Sequence, residues 1–168
     1  MPDYGRSGPS GGSEPREAGS VGAIPSSVGA IFPWPVRIYW EDTDAGGIVF
    51  YANYLKFFER ARTEWLRSLG LSQQALKSST GCIFVVTDTT LRYVRPARLD
   101  DALIVTAALQ ESGRASLIMK QQALLKSEQS GPACTTLLCE GTVRIGWVDA
   151  ASMQPKRLPA HLRQRLTS

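Results

Sequence analysis

Residues 53–70 read NYLKFFERARTEWLRSLG. Tyr54, Leu55, Phe58, Ala61, Trp65, Leu66 and Leu69 recur at helical spacing and make one apolar face, with Lys56, Glu59, Arg60, Thr63, Glu64 and Arg67 toward the other. The spacing predicts one long amphipathic helix. Gly70 is suited to end it, because glycine takes the left-handed conformation that lets the last carbonyls be paired at low cost. A short helix is expected at SQQALKS, residues 72–78.

On the N-terminal side, WPVRIYW (34–40) alternates Val36, Ile38 and Trp40 with Arg37 and Tyr39, which is a strand signal. After Gly81 the pattern is strand-like and stays so. CIFVVTDTTLRYV is β-branched, ALIVTAAL and SLIMKQQALL flank a turn at QESGRA, and SEQSGP precedes CTTLLCEGTVRIGWV. In that last strand Leu137, Cys139, Gly141, Val143, Ile145 and Trp147 share one face, against Leu138, Glu140, Thr142 and Arg144. The order is one strand, one long helix, then about four strands joined by short turns. An α+β architecture follows, with an antiparallel sheet packed on a helix. An apolar outer sheet face would need a cover, which points to self-association.

The chain has 168 residues, enough for one domain and its core. Residues 1–30 contain seven Gly, six Ser and four Pro, a composition expected to stay disordered. Residues 31–150 form the expected domain and 151–168 a basic C-terminal tail. The net charge of +4 lies in that tail, at Lys156, Arg157, Arg163 and Arg165, with no basic stripe interleaved with aromatics. Nucleic acid is therefore not an expected partner. Cys82, Cys134 and Cys139 show no CxxC spacing, which argues against a disulfide framework and a structural zinc site and fits a reducing, cytoplasmic setting. No run approaches the roughly 18 apolar residues of a membrane span.

The only histidine is His161, in the tail, so a Ser-His-Asp or Cys-His arrangement has no imidazole within the domain. Gly46-Gly47 falls short of a dinucleotide fingerprint. No metal and no cofactor is expected. What remains is WEDTDAGGIVFYANY, residues 40–54, where Glu41, Asp42 and Asp44 precede two glycines and an aromatic block. A carboxylate between a strand and a helix start lies close to backbone N–H groups that carry partial positive charge. That pairing suits acyl transfer, in which one group delivers water or attacks a carbonyl and the donors receive the oxyanion. The same residues also suit a plain turn and helix cap.

VRIYWEDTDAGGIVFYANYLKFFERARTEWLR (36–67) resembles the opening motif of the hot-dog-fold acyl-CoA thioesterases, in particular the Tol-Pal-associated group and the related 4-hydroxybenzoyl-CoA thioesterases. The likeness continues through YVRPARLDDALIV (93–105) and VDAASMQPKRLP (148–159), so it covers nearly everything after residue 33. The resemblance implies a five-stranded antiparallel sheet around a long central helix, and homo-oligomers: dimers with a continuous ten-stranded sheet, often tetramers. It implies hydrolysis of an acyl-CoA thioester, coenzyme A being part of the substrate.

Carried over residue by residue, the resemblance makes Asp44 the nucleophile or general base and Tyr51 the residue whose N–H polarises the carbonyl. Gly46, Gly47, Ile48 and Phe50 line the acyl or thioester end. Glu41 and Asp42 are expected to shape the loop, and Glu59, Arg60 and Arg62 to form salt bridges and interfaces. Arg92, Arg95 and Arg98 are candidates for coenzyme A phosphates. In one respect the chain departs from the Tol-Pal-associated group: Tyr51 stands where that group has His, while the aromatic-acyl thioesterases have Tyr. A non-catalytic module that binds acyl-CoA or acyl carrier protein is the competing expectation. A dehydratase of the same fold is disfavoured by the lack of His.

Overall fold

The computed structural model describes residues 29–126 and 135–167. Residues 1–28, residues 127–134, which include SEQSGP and Cys134, and residue 168 lie outside the described residues. Strand β1 (Phe32–Arg37) leads through a 3-10 turn at Trp40–Asp42 to helix α1 (Asn53–Ser68) and helix α2 (Gln73–Thr80). Strands β2 (Cys82–Tyr93), β3 (Ala102–Ser112), β4 (Ser116–Lys126) and β5 (Thr135–Asp149) follow, then helix α3 (Ala160–Thr167). The strands form one antiparallel sheet in the order β1-β3-β4-β5-β2.

Helix α1 lies on one face of this sheet. Tyr54, Phe57, Phe58, Ala61, Trp65 and Leu66 are buried against Val105, Met119, Val143 and Trp147. The apolar stripe differs from its expected membership at one position on each flank: Phe57 is buried and Leu55 is 42 % exposed. The stripe is centred on Tyr54, Phe58, Ala61 and Trp65, and Leu55 falls at its margin. At the C-terminal end, Gly70 takes φ 69°, its N–H reaches Arg67 O (2.8 Å), and Leu71 N–H reaches Leu66 O (2.9 Å). That pair of bonds satisfies two of the carbonyls a helix end leaves open.

The last strand corrects the expected alternation. Cys139 pairs with Ala123 and Leu137 with Leu124, so Leu138 is an extra residue without a partner on β4. This bulge turns Leu138 into the core, where it is 1 % exposed, beside the equally buried Cys139. The freed Leu138 carbonyl accepts the N–H groups of Val94 (2.8 Å) and Arg95 (3.1 Å).

The sheet's outer face is less apolar than expected. Arg92 donates from Nε to Glu140 Oε1 (3.0 Å), Gln122 donates to Glu140 Oε2 (3.3 Å), and the Gln122 N–H reaches Thr106 Oγ1 (3.0 Å). These bonds give the centre of that face a polar surface reaching from β2 to β3. The C-terminal segment also differs from a solvated tail. Leu158, Leu162 and Leu166 join the core, and Arg165 donates to the Leu69 carbonyl at the end of α1. A guanidinium there meets the negative end of the helix dipole.

Candidate active site

The two aspartates of the loop have opposite environments. Asp42 is buried; its Oδ2 accepts the Tyr39 N–H (3.0 Å), and its backbone carbonyl accepts both Phe50 N–H (2.9 Å) and Asn53 Nδ2–H (2.9 Å). It therefore ties the end of the first strand to the start of α1. Asp44 is exposed, on a turn closed by Asp44 N–H to Ile48 O (2.9 Å) and by a bridge between Thr43 and Val49. Its Oδ1 accepts the Gly46 N–H (2.8 Å), while Oδ2 has no donor among the described residues. Gly47, with φ 72°, supplies the left-handed step that returns the chain toward the helix.

The lead-in to α1 is held on both sides of Tyr51. Asn53 N–H reaches Phe50 O (2.8 Å), and the Tyr93 hydroxyl donates to Tyr51 O (3.1 Å). The N–H groups of Tyr51 and Ala52 have no acceptor among the described residues. Ala52 is the N-cap of α1, so its N–H belongs to the donors that a helix start leaves unpaired, and the Tyr51 N–H stands one residue ahead of it, near the positive end of the helix dipole.

Beside them is an open cleft of about 270 Å³ lined by Ile48, Val49, Tyr51, Tyr54, Tyr93, Val94, Arg95 and Pro96. Two expected residues, Ile48 and Tyr51, meet there. Asp44, Gly46, Gly47 and Phe50 stand outside this lining; the Phe50 ring packs on Tyr51 at 4.6 Å between centroids. Tyr54 and Tyr93 had no local signal. They belong to the helix stripe and a strand end, and only the fold brings them together. Segment 94–98 is stitched to the loop by Ala97 N–H to the Tyr54 hydroxyl (3.0 Å), Val49 N–H to Ala97 O (2.9 Å), and a bridge between Ile48 and Arg98.

Burial raises the Tyr54 phenol, against an opposing backbone bond from Ala97, and burial also raises Tyr93. Cys139, paired with Tyr93 across the sheet, is pushed up to about 12 by burial and by Glu140. These three groups stay protonated near neutral pH, so none supplies a base or a thiolate. Among the arginines, Arg95 lines the cleft, whereas Arg92 is occupied by Glu140 on the outer face. Arg62 bonds Gln121 (2.6 Å) and Glu59 accepts from Thr63 (2.7 Å), in place of the expected salt bridges.

Residues 38–166 match the family model described as the thioesterase-like superfamily. The chain belongs to the thioesterase-like superfamily. It is 44 % identical over 129 residues to the acyl-CoA thioester hydrolase YbgC of Escherichia coli O6:H1, covering 77 % of this chain and 90 % of that one. A solved structure titled as a probable thioesterase from Bartonella henselae is 31 % identical, with a TM-score of 0.68 over 77 % of this chain and 100 % of that one. The structure of a 4-hydroxybenzoyl-CoA thioesterase mutant with its ligand gives a TM-score of 0.74 at 18 % identity, over 81 % and 98 % of the two chains, which is a likeness of fold. The thioesterase-like chain is an enzyme with the hot-dog fold, its five-stranded antiparallel sheet carrying one helix of 16 residues and two shorter ones. No described helix is long and apolar enough to cross a membrane.

Proposed function

We propose that the protein hydrolyses an acyl-CoA thioester to the free acid and coenzyme A, using Asp44 as nucleophile or general base and the Tyr51 N–H to polarise the carbonyl. The observation that carries this reading is the Tyr51 N–H, unpaired at the start of α1 and beside an apolar-walled cleft. A developing oxyanion there gains a donor that needs no reorganisation, an effect worth about 10²–10³ in rate where such donors have been removed.

With Asp44 as base, it takes a proton from water, the hydroxide attacks the carbonyl carbon, the C–S bond breaks, and the thiolate leaves and takes up the proton. With Asp44 as nucleophile, its carboxylate attacks the carbonyl carbon, the C–S bond breaks and the coenzyme A thiolate leaves an acyl-aspartyl anhydride; water then cleaves the anhydride, freeing the acid and the Asp44 carboxylate and supplying the proton that the thiolate takes up. Neither route needs a cofactor beyond the coenzyme A carried by the substrate.

Asp44 is reached from solvent on its turn, and we place the cytoplasmic enzyme's complete site in a homo-oligomer. Strand β2, a sheet edge without proline, pairs with its copy, whereas the other edge, β1, carries Pro33 and Pro35.

Thiol release measured over short, medium, long-chain and aromatic acyl-CoAs tests the assignment. Asp44→Asn should fold normally and lose about 10²–10⁴-fold in turnover; an unchanged rate sinks it. A module that only binds acyl-CoA or acyl carrier protein would show saturable binding without free thiol in either form. Single turnover in ¹⁸O water bears on the two chemical routes: label in the Asp44 carboxylate shows an anhydride cleaved at its aspartyl carbonyl, whereas the base route puts all of the label in the released acid.

A further inference from the structure

The peptide units on either side of Tyr51 are each held through a carbonyl. Phe50 O is fixed by the Asn53 N–H within the same turn. Tyr51 O is fixed from across the cleft, by the hydroxyl of the last residue of β2. A trans peptide is planar, so the group that holds Tyr51 O also sets the direction of the Ala52 N–H on the other side of that unit. With both units held, rotation of the backbone at Tyr51, and of its own N–H with it, is restrained from both sides. A hydroxyl donated to a peptide carbonyl also polarises the unit and strengthens its N–H as a donor.

We propose that Tyr93 is a positioning residue for hydrolysis, its hydroxyl holding the Tyr51–Ala52 peptide so that the unpaired N–H groups of Tyr51 and Ala52 stay presented to the thioester carbonyl. The proposal rests on the hydrolase reading and on the Tyr51 N–H within it.

Two features of the fold support it. The Tyr93 ring, 47 % exposed, packs edge-on against Tyr51 (6.4 Å) and Tyr54 (5.7 Å), and these two ring contacts orient its hydroxyl. The residues that follow it, Val94 and Arg95, both donate to the carbonyl freed by the Leu138 bulge, which anchors the end of β2 against the sheet. The phenol is raised from its ordinary value by burial, so it is a donor throughout the neutral range. Its position at the end of the edge strand also means that whatever orders β2 orders the donor.

Tyr93→Phe removes one oxygen and keeps the ring packing. The expected result is a fall in kcat of about ten-fold with KM within about two-fold, because the lost bond acts on the transition state. The second readout is the infrared stretch of a ¹³C-labelled thioester carbonyl bound to Asp44→Asn. Polarisation shifts this band to lower wavenumber, and adding Tyr93→Phe should reverse part of the shift. Fluorinating the Tyr93 ring, measured where the phenol stays protonated, strengthens the donor and should move the band the opposite way.

An active wild type with kcat and band position unchanged in Tyr93→Phe overturns this proposal alone. A kcat loss that tracks a fall in Tm, with the band unmoved, overturns it too, as a merely structural effect. A wild type that releases no thiol overturns the hydrolase reading, and this proposal with it.

Discussion

Asp42 and Asp44 are two residues apart and have separate work because of what their oxygens meet. Asp42 is out of water, with one carboxylate oxygen on the Tyr39 N–H and its backbone carbonyl on two donors from the helix start. Removing the carboxylate takes the acceptor from the part-buried Tyr39 N–H, a loss of about 1–3 kcal/mol. Asp42→Ala should therefore lower the melting temperature by several degrees in a thermal denaturation scan, while Asp44→Asn leaves it nearly unchanged. Equal losses from both would contradict this division. From the bare sequence, the three acids of the loop differ only in order. Their sorting rested on the motif's resemblance, because burial is decided by where the chain turns between 43 and 49. The cleft partners Tyr54 and Tyr93 were illegible for a related reason: they are 39 positions apart in sequence and meet only after the sheet closes.

At the scale of elements, the two sheet edges are unequal. β1 is six residues long with two prolines, which discourages strand addition; β2 is twelve residues long with none. Val86, 52 % exposed, lies on β2. If β2 pairs with its copy, Val86→Lys should move the sedimentation coefficient from an oligomer toward a monomer with little loss of helical signal. A monomeric wild type, or an oligomer indifferent to the change, would refute pairing at this edge. The elements themselves were mostly legible, since periods of 3.6 and 2 residues survive folding wherever one face is buried. The misreadings fall where a second rule intervenes. A bulge shifted Leu138 by one position, and the polar-looking C-terminal segment hides Leu158, Leu162 and Leu166, whose spacing of four gives a narrow stripe.

Across the whole molecule, the Arg92–Glu140–Gln122–Thr106 chain links four strands on the outer face. The Arg92 guanidinium holds the Glu140 carboxyl below its ordinary value, against the opposing effect of burial and with help from Gln122. A carboxyl depressed in the folded state contributes stability that is present above its unfolded pKa and is lost as the pH falls through the folded one. Denaturant titrations should thus show a wild-type stability that declines below about pH 4.5, with the decline shallower in Glu140→Gln. Identical acid limbs would show that Glu140 carries no such linkage.

The strand order has a further consequence, for the timing of folding. Among the described strands β2 has one intramolecular partner, β5, and β5 is the last of them made. During synthesis β2 waits, with both edges open, until residues 135–149 have left the ribosome and inserted between it and β4. Closure of so non-local a pairing is slow, and an unpaired strand rich in Val, Ile and Thr is prone to join a neighbouring chain. The strand best suited to join two finished subunits is therefore also the one most exposed to premature association on polysomes.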